Sequence, residues 1–371
     1  MRNKIKKIDK QLLLLTIILF SYGLVMIYSA SNVTAFYVYD VSSGRFFLRQ
    51  GIVLIVGIIL FTILMKINTK KYYKLASTAC ILLTGMIAFL VMYGTATNGS
   101  KNWITILGFT FQPSEFIKVA IIPFMAMFYE KYEKYEDGNK MYYPLILSII
   151  IFALIILQND YGTAFIFITL AFGLFFFSTA SKRIKASVAS LGVIAVVALI
   201  LIISSGALPK SKLTRLKSNI NPCKIENYLN EGNQLCNSYI AINGGGIFGK
   251  GLGNSTQKYL YLSESHTDYI FAIVVEELGA VGGIVLIGLY FLTLVEIIKV
   301  GKRCKKNSHS MICYGTAIYL FLHMAINLSG VLGIIPLTGI PLPFMSYGGS
   351  FALSIIIALS MVQRINFETK S

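Results

Sequence analysis

The chain has 371 residues, 56% hydrophobic and only 13% charged, with a mean hydropathy of +0.70. A soluble domain carries about 25% charged and 45–50% apolar residues, so this composition excludes one and belongs to a membrane protein. The net charge of +17 points to nucleic acid only until its placement is read: most Lys and Arg lie in short segments between apolar blocks, alternating along the chain, which is the positive-inside pattern and needs no nucleic-acid partner.

The basic N-terminus, Met1 to Lys10, leads into an apolar run from Gln11 to Ala30. That run is too long for the core of a signal peptide and lacks its cleavage site, so it reads as an uncleaved first helix with a cytoplasmic N-terminus. Further apolar blocks fall at 50–67, 75–94, 114–130, 142–158, 163–180, 186–206, 269–298, 310–333 and 350–364. Each approaches or exceeds the ~17–25 residues that cross a bilayer. The basic loops near Lys66–Lys74, Lys131–Lys140, Lys182–Lys185 and Lys299–Lys306 then all fall inside, although Glu133, Glu136 and Asp137 dilute the second. The expected fold is an all-α polytopic membrane protein of about ten transmembrane helices, one domain over 1–371, with both termini cytoplasmic. One long extracellular loop, 206–268, joins the seventh and eighth helices.

A charge near the end of a membrane helix costs free energy unless it meets water, a cavity or a partner. Four polar clusters stand out on that ground, and the topology puts all of them on the outer side. The first is Asn102-Trp103 followed by Phe111-Gln112-Pro113-Ser114-Glu115-Phe116-Ile117-Lys118. Pro113 suits a helix start, and Glu115 and Lys118 share one face at i, i+3. They read either as a capping acid with a local ion pair or as a polar pair lining a cavity. The second is the turn Gln158-Asn159-Asp160-Tyr161-Gly162, where Asp160 could simply cap the sixth helix.

The long outer loop holds Cys223 and Cys236, in an oxidising location, and we expect a disulfide there, two free thiols being the alternative. The third cluster follows: Gly244 to Asn254, rich in glycine, then Ser263-Glu264-Ser265-His266-Thr267-Asp268-Tyr269. Glycine loops can offer N–H groups to phosphate, with Lys250 and Lys258 adding charge. Asp268 stands where the polar loop becomes the eighth helix, and Glu276 and Glu277 lie two turns on, unusually deep for carboxylates. The fourth cluster, Pro336 to Ser350, has too much Pro and Gly for a regular helix. Irregular backbone at membrane depth needs cover from protein or a cavity, so a re-entrant segment beside a polar cavity is expected. His266, His309 and His323 are scattered, with no Cys/His spacing of a zinc site and no phosphate-loop motif.

These stretches resemble the SEDS family (shape, elongation, division and sporulation), which includes RodA, FtsW and SpoVE. The matching segments are Gly23–Ser31, Asn102–Trp103, Phe111–Lys118, Leu157–Ala164, Ala241–Lys258, His266–Gly279 and Thr338–Ser350, in family order. The wording around Asn243 to Leu262 and the cysteine pair are most like the FtsW branch. Two departures are Ser263 where the family has Pro, and Tyr269 where it has Phe. The resemblance implies a peptidoglycan glycosyltransferase that polymerises lipid II at the outer leaflet of the bacterial cytoplasmic membrane, in cell division or cell-shape maintenance.

It also implies that Asp268 is the essential carboxylate, accepting the proton of an acceptor hydroxyl. The lipid pyrophosphate leaving group wants cations or N–H donors, for which Arg215, Lys118, Lys250 and Lys258 are candidates. Glu115, Asp160, His266 and Ser346 complete the expected substrate-binding or cavity set. A divalent cation, Mg or Mn, could assist, with no ligand set readable for it. The family implies a class B penicillin-binding protein as transpeptidase partner, with other divisome or elongasome membrane proteins. Two rival readings are a lipid II flippase and a non-catalytic scaffold that activates a penicillin-binding protein. A transporter should carry its polar sites near the midplane, whereas here they gather at one face.

Overall fold

A computed structural model describes residues 7–96, 99–106, 109–135, 138–204, 219–229 and 232–370. In chain order the helices are α1 Lys10–Tyr37, α2 Arg45–Leu64, α3 Tyr72–Tyr93, α4 Pro113–Lys131, α5 Tyr143–Leu157, α6 Tyr161–Phe176 and α7 Lys182–Ser204. They continue with two loop helices, α8 Ile225–Tyr228 and α9 Asn233–Gly245, then α10 Ile270–Lys302, α11 Asn307–Val331 and α12 Gly349–Thr369. A short antiparallel hairpin, β1 Ile104–Ile106 with β2 Phe109–Phe111, precedes α4, pairing Ile104 with Phe111. Among the described residues seven helical segments are long and apolar enough to cross a membrane, and a multi-pass membrane protein follows. Each apolar block of the sequence overlaps one of these helices.

Local chemistry sets the helix starts. Asp9 accepts the Leu12 N–H at 3.0 Å and opens α1, satisfying one of the orphan donors at a helix N-terminus. Pro113 occupies the first turn of α4, where its missing N–H costs nothing. Burial then sorts the helices. In α2 only 11% of the apolar window is buried, against 67% in α11 and 78% in α12. The first faces lipid and is almost purely apolar. The last two face protein, which is why they can carry Ser, Asn, His and Gln. The α11 helix packs against α4, α6, α10 and α12, and α4 against α3, α6 and α12. These two helices are the frame on which the polar site hangs.

Two departures from regular helix matter. The α10 helix breaks at Gly279, whose φ of 73° and ψ of −178° are not helical. The freed backbone groups are taken up by the glycine loop: Lys250 N and Gly251 N donate to the carbonyls of Glu276 and Glu277 at 3.0 and 2.9 Å, while Ala280 N and Val281 N donate to Gly246 and Ile247 at 2.9 and 3.2 Å. A broken membrane helix needs such replacement partners. The approach is so close that a Cβ on Gly249 would sit 2.2 Å from the Glu277 carbonyl. Glycine is thus required here for backbone packing. The second departure is the segment from Pro336 to Gly348, non-helical between α11 and α12, with Leu342, Phe344, Met345 and Ser346 buried in protein.

In the loop between α7 and α10, Cys223 and Cys236 form a disulfide, 13 residues apart. A closure of that length is worth about 3 kcal/mol in the chain-entropy account.

Candidate functional site

A cavity of about 770 Å³ opens between the β-hairpin, the α5–α6 turn, the loop before α10 and the irregular segment after α11. Its polar lining includes Asn102, Gln112, Glu115, Asp160, Glu264 and Asp268. Four of these are carboxylates, and no Lys or Arg among the described residues lines it. The volume is that of a ligand pocket, and convergent polar groups of this kind mark a binding or active site.

Asp160 organises one wall. Its Oδ1 accepts the Thr163 N–H at 3.1 Å and caps α6, while Oδ2 accepts from Asn102 Nδ2 at 2.8 Å and Gln112 Nε2 at 3.2 Å. The capping reading of Asp160 is therefore right but incomplete, because the same carboxylate ties the first and second clusters together. Glu115 forms the next wall. Its Oε1 accepts from Lys118 Nζ at 2.8 Å, and Lys118 Nζ lies 3.0 Å from His323 Nε2. Glu115, Lys118 and His323 are all buried, and Glu115 Oε2 has no hydrogen-bond partner among the described residues. A buried acceptor left unpaired by protein is costly.

Asp268 lies at the end of the loop before α10, half-buried, and its carboxylate makes no hydrogen bond with the described residues. Burial pushes its pKa up to about 7, and the nearby Glu264 charge pushes in the same direction. Glu264 Oε2 accepts from Thr267 Oγ1 at 2.7 Å. Backbone sits close on the other side, where a Cβ on Gly339 would lie 3.6 Å from Asp268 Oδ2. A carboxylate whose pKa is raised toward neutrality and that makes no hydrogen bond with the described residues suits proton transfer.

The remaining expected site residues fall elsewhere. Lys250 and Lys258 do not line this cavity. Lys250 Nζ pairs with Glu276 at 2.7 Å and Lys258 Nζ with Glu277 at 3.1 Å. Ser29, Ser255 and Thr256 supply further hydrogen bonds to the two carboxylates. The depth of Glu276 and Glu277 is explained by these lysines, and the glycine loop serves the α10 break. The expected phosphate cradle is not what this arrangement presents: the N–H groups of Gly249, Lys250 and Gly251 donate to backbone carbonyls, and both lysines are paired with carboxylates. His266 also points away. Its ring packs on Phe46 and Tyr347 with centroids 4.8 and 5.8 Å apart, and burial lowers its pKa. Ser346 Oγ donates to Thr267 O at 2.6 Å and accepts from Leu342 N at 2.8 Å, so it fixes backbone. Lys118 stands behind Glu115 and contacts the cavity through it. Arg215 lies outside the described residues.

Two residues not singled out in the sequence contact the site's walls: His323, noted only as a scattered histidine, and Asn327. Both are polar groups inside the apolar block 310–333, four residues apart, and that placement alone could have flagged them. Among the described residues no three His, Cys, Asp or Glu side chains are grouped to hold a metal ion.

Comparison with known proteins places this geometry. The profile of the FtsW, RodA and SpoVE family, described as cell cycle proteins, matches residues 10–371. A protein of Bacillus subtilis (strain 168) named "Probable peptidoglycan glycosyltransferase FtsW" is 35% identical over 377 residues, covering 100% of this chain and 93% of that one. The stage V sporulation protein E of the same organism is 33% identical over 363 residues, covering 96% of each chain. Among solved structures, a chain of a peptidoglycan synthase complex that coordinates polymerization and crosslinking matches with a TM-score of 0.77 at 22% identity, over 98% of both chains. The Thermus thermophilus rod shape determining protein RodA matches with a TM-score of 0.70 at 22% identity, also over 98% of both. These last two establish a shared fold.

Proposed function

The chain belongs to the FtsW, RodA and SpoVE family of cell cycle proteins, and we propose that it is a peptidoglycan glycosyltransferase polymerising lipid II at the outer face of the bacterial cytoplasmic membrane. The observation that carries this reading is Asp268, a carboxylate with a pKa raised to about 7 facing a polar cavity. Ionised Asp268 takes the proton of the acceptor sugar hydroxyl as that oxygen attacks the anomeric carbon of the donor. The new glycosidic C–O bond forms while the C–O bond to pyrophosphate breaks, and the lipid pyrophosphate leaves with the bonding pair. A positioned base of this kind contributes about 10²–10⁴-fold.

The leaving group brings negative charge into a cavity already lined by four carboxylates. Lys118 offsets Glu115, and Arg215 is the further cation that the sequence reading offers. A divalent cation, Mg or Mn, has no cage of protein ligands among the described residues and enters no step. An apolar groove of about 460 Å³ adjoins the site, lined by Leu83, Val119, Ala120, Ile357 and Met361 among others. Phe111 and Phe116 line that groove while their neighbours Gln112 and Glu115 line the cavity. A polyprenyl tail in the groove with its head group in the cavity fits this division.

In this proposal α1–α7 and α10–α12 are ten crossings of one domain, with both termini inside and 206–268 outside. The alternating basic loops support it. A class B penicillin-binding protein is the partner the reading calls for, alongside other divisome or elongasome proteins. Its support is a fold shared with a complex that couples polymerization to crosslinking. The test is purified protein in vesicles with lipid II. Glycan strands that a muramidase digests are expected. Movement of lipid II between leaflets without polymer would overturn the reading in favour of transport.

A further inference from the structure

We propose that His323 and Asn327, one turn apart on α11, are positioning residues that clamp the Glu115–Lys118 pair and the Asp268 loop to one irregular segment. This rests on the transferase reading above. The two halves of the site come from different elements. Glu115 and Lys118 stand on the first turns of α4, whereas Asp268 ends the loop before α10. The wall between them is the segment from Leu337 to Pro341.

The hydrogen bonds define a clamp. His323 Nε2 lies 3.0 Å from Lys118 Nζ, and His323 Nδ1 lies 3.4 Å from the Pro341 carbonyl. An ammonium only donates, so Nε2 must accept, and the ring proton must sit on Nδ1, facing the carbonyl. Asn327 Nδ2 donates to the main-chain oxygens of Asp268 and Ile340, both at 2.8 Å. Both partners are acceptors, which fixes the amide orientation as well. The helix therefore grips consecutive carbonyls, Ile340 and Pro341, with side chains at i and i+4, and each grip extends to one half of the site. His323 and Asn327 are almost fully buried. Ser346 and Tyr347 stitch the far end of the same segment to Thr267 and His266, so the clamp is the part that links this assembly to Lys118.

Positioning of this kind acts on rate. A displacement of about 1 Å between reacting groups costs on the order of 10²-fold, even when the mutated residue is remote from the chemistry. A role in packing alone makes a different prediction. The His323 ring lies over Phe351 and edge-on to Tyr319, with centroids 4.6 and 4.9 Å apart, and His323→Phe keeps both contacts while deleting both hydrogen bonds. Asn327→Leu likewise keeps the branched shape, with somewhat more bulk, and deletes both donors.

The experiment measures steady-state lipid II polymerisation by the full chain with its transpeptidase partner, for wild type, His323→Phe, His323→Gln, His323→Asn, Asn327→Leu and Asp268→Ala. His323→Phe and Asn327→Leu are expected to lower kcat by about tenfold or more with KM within about threefold, the pattern of lost transition-state geometry. His323→Gln, whose Oε1 reaches the place of Nε2, is expected to recover most of the rate. His323→Asn, which keeps only the donor toward Pro341, should fall between Gln and Phe. Wild-type kcat in both His323→Phe and Asn327→Leu overturns the clamp. If the phenylalanine variant does not fold, the order of Gln and Asn decides: Gln faster supports the clamp, and equal rates overturn it. Wild-type polymerisation by Asp268→Ala would instead remove the underlying reading, and the clamp with it.

Discussion

Asn102 Nδ2 donates a 2.8 Å hydrogen bond to Asp160 Oδ2, joining segments 58 residues apart. A carboxylate can only accept, so the amide nitrogen must face it. That leaves Asn102 Oδ1, buried and without a partner among the described residues, on the cavity wall. One contact thus fixes the wall's geometry and its acceptor character. Exchanging the two groups tests this. Asn102→Asp alone sets two carboxylates against each other and should lower the unfolding temperature in detergent. Asp160→Asn alone should cost about 1 kcal/mol or less, since Asn also caps helices well. The double variant, with donor and acceptor reversed, should recover most of the Asn102→Asp loss, and a purely additive cycle would contradict the pairing.

The acidity of Asp268 gives a pH signature. A base must be ionised, and a pKa of about 7 places the acid limb of kcat/KM near neutrality. Below it the rate should fall about tenfold per pH unit, and above it level off. Glu264 contributes to the upward shift through its charge. Glu264→Gln removes that charge, lowers the Asp268 pKa and moves the acid limb to lower pH. A pH–rate profile of both proteins checks the sign, and a limb that moves upward or not at all contradicts it.

The sequence made the helices legible because lipid-facing surfaces must be apolar, and the ten apolar blocks stand out between basic loops. Pro113, Asp160 and the irregular run after Pro336 were legible for the same local reasons, a helix start, a cap and excess Pro and Gly. The convergence of Glu115, Asp160 and Asp268 on one cavity was expected from the one-sided clusters and the family resemblance. The destination of Lys250 and Lys258 was not. A lysine beside glycines reads alike whether it waits for phosphate or pairs with a carboxylate 19 or 26 residues on, and only the fold decides. Gly279 was hidden too, since one glycine in an apolar block carries no mark of a broken helix. His323 and Asn327 act through partners far along the chain, so their spacing alone gave no target.

The Lys258–Glu277 pair is a stability element. Both side chains are almost wholly buried, at 1% and 0% exposure, 3.1 Å apart. Lys258→Met leaves a buried carboxylate without its cation and should cost about 3–5 kcal/mol. Adding Glu277→Gln should restore much of this, because the uncompensated charge is gone. Thermal unfolding of the single and double variants measures it. Equal loss in both would mean that the charge pair is not the source.

The break in α10 needs glycine. Gly279 has a φ of +73°, and a Cβ there would meet the Ile247 carbonyl at 2.1 Å. Gly279→Ala should cost at least about 1–3 kcal/mol from backbone strain alone. Gly288, on the same helix with open space at its Cβ position, provides the control. Gly288→Ala should be neutral or stabilising by about 0.5–1 kcal/mol. Comparable unfolding temperatures for the two variants would contradict the packing account.

Asp268 as the base of lipid II polymerisation is tested by comparing purified wild type with Asp268→Asn on lipid II, alongside an established polymerase. Asn keeps the shape and removes the base. Glycan strands are expected from the wild type, with a rate at least about 100-fold lower from Asp268→Asn. Equal strand formation by the two proteins would contradict it.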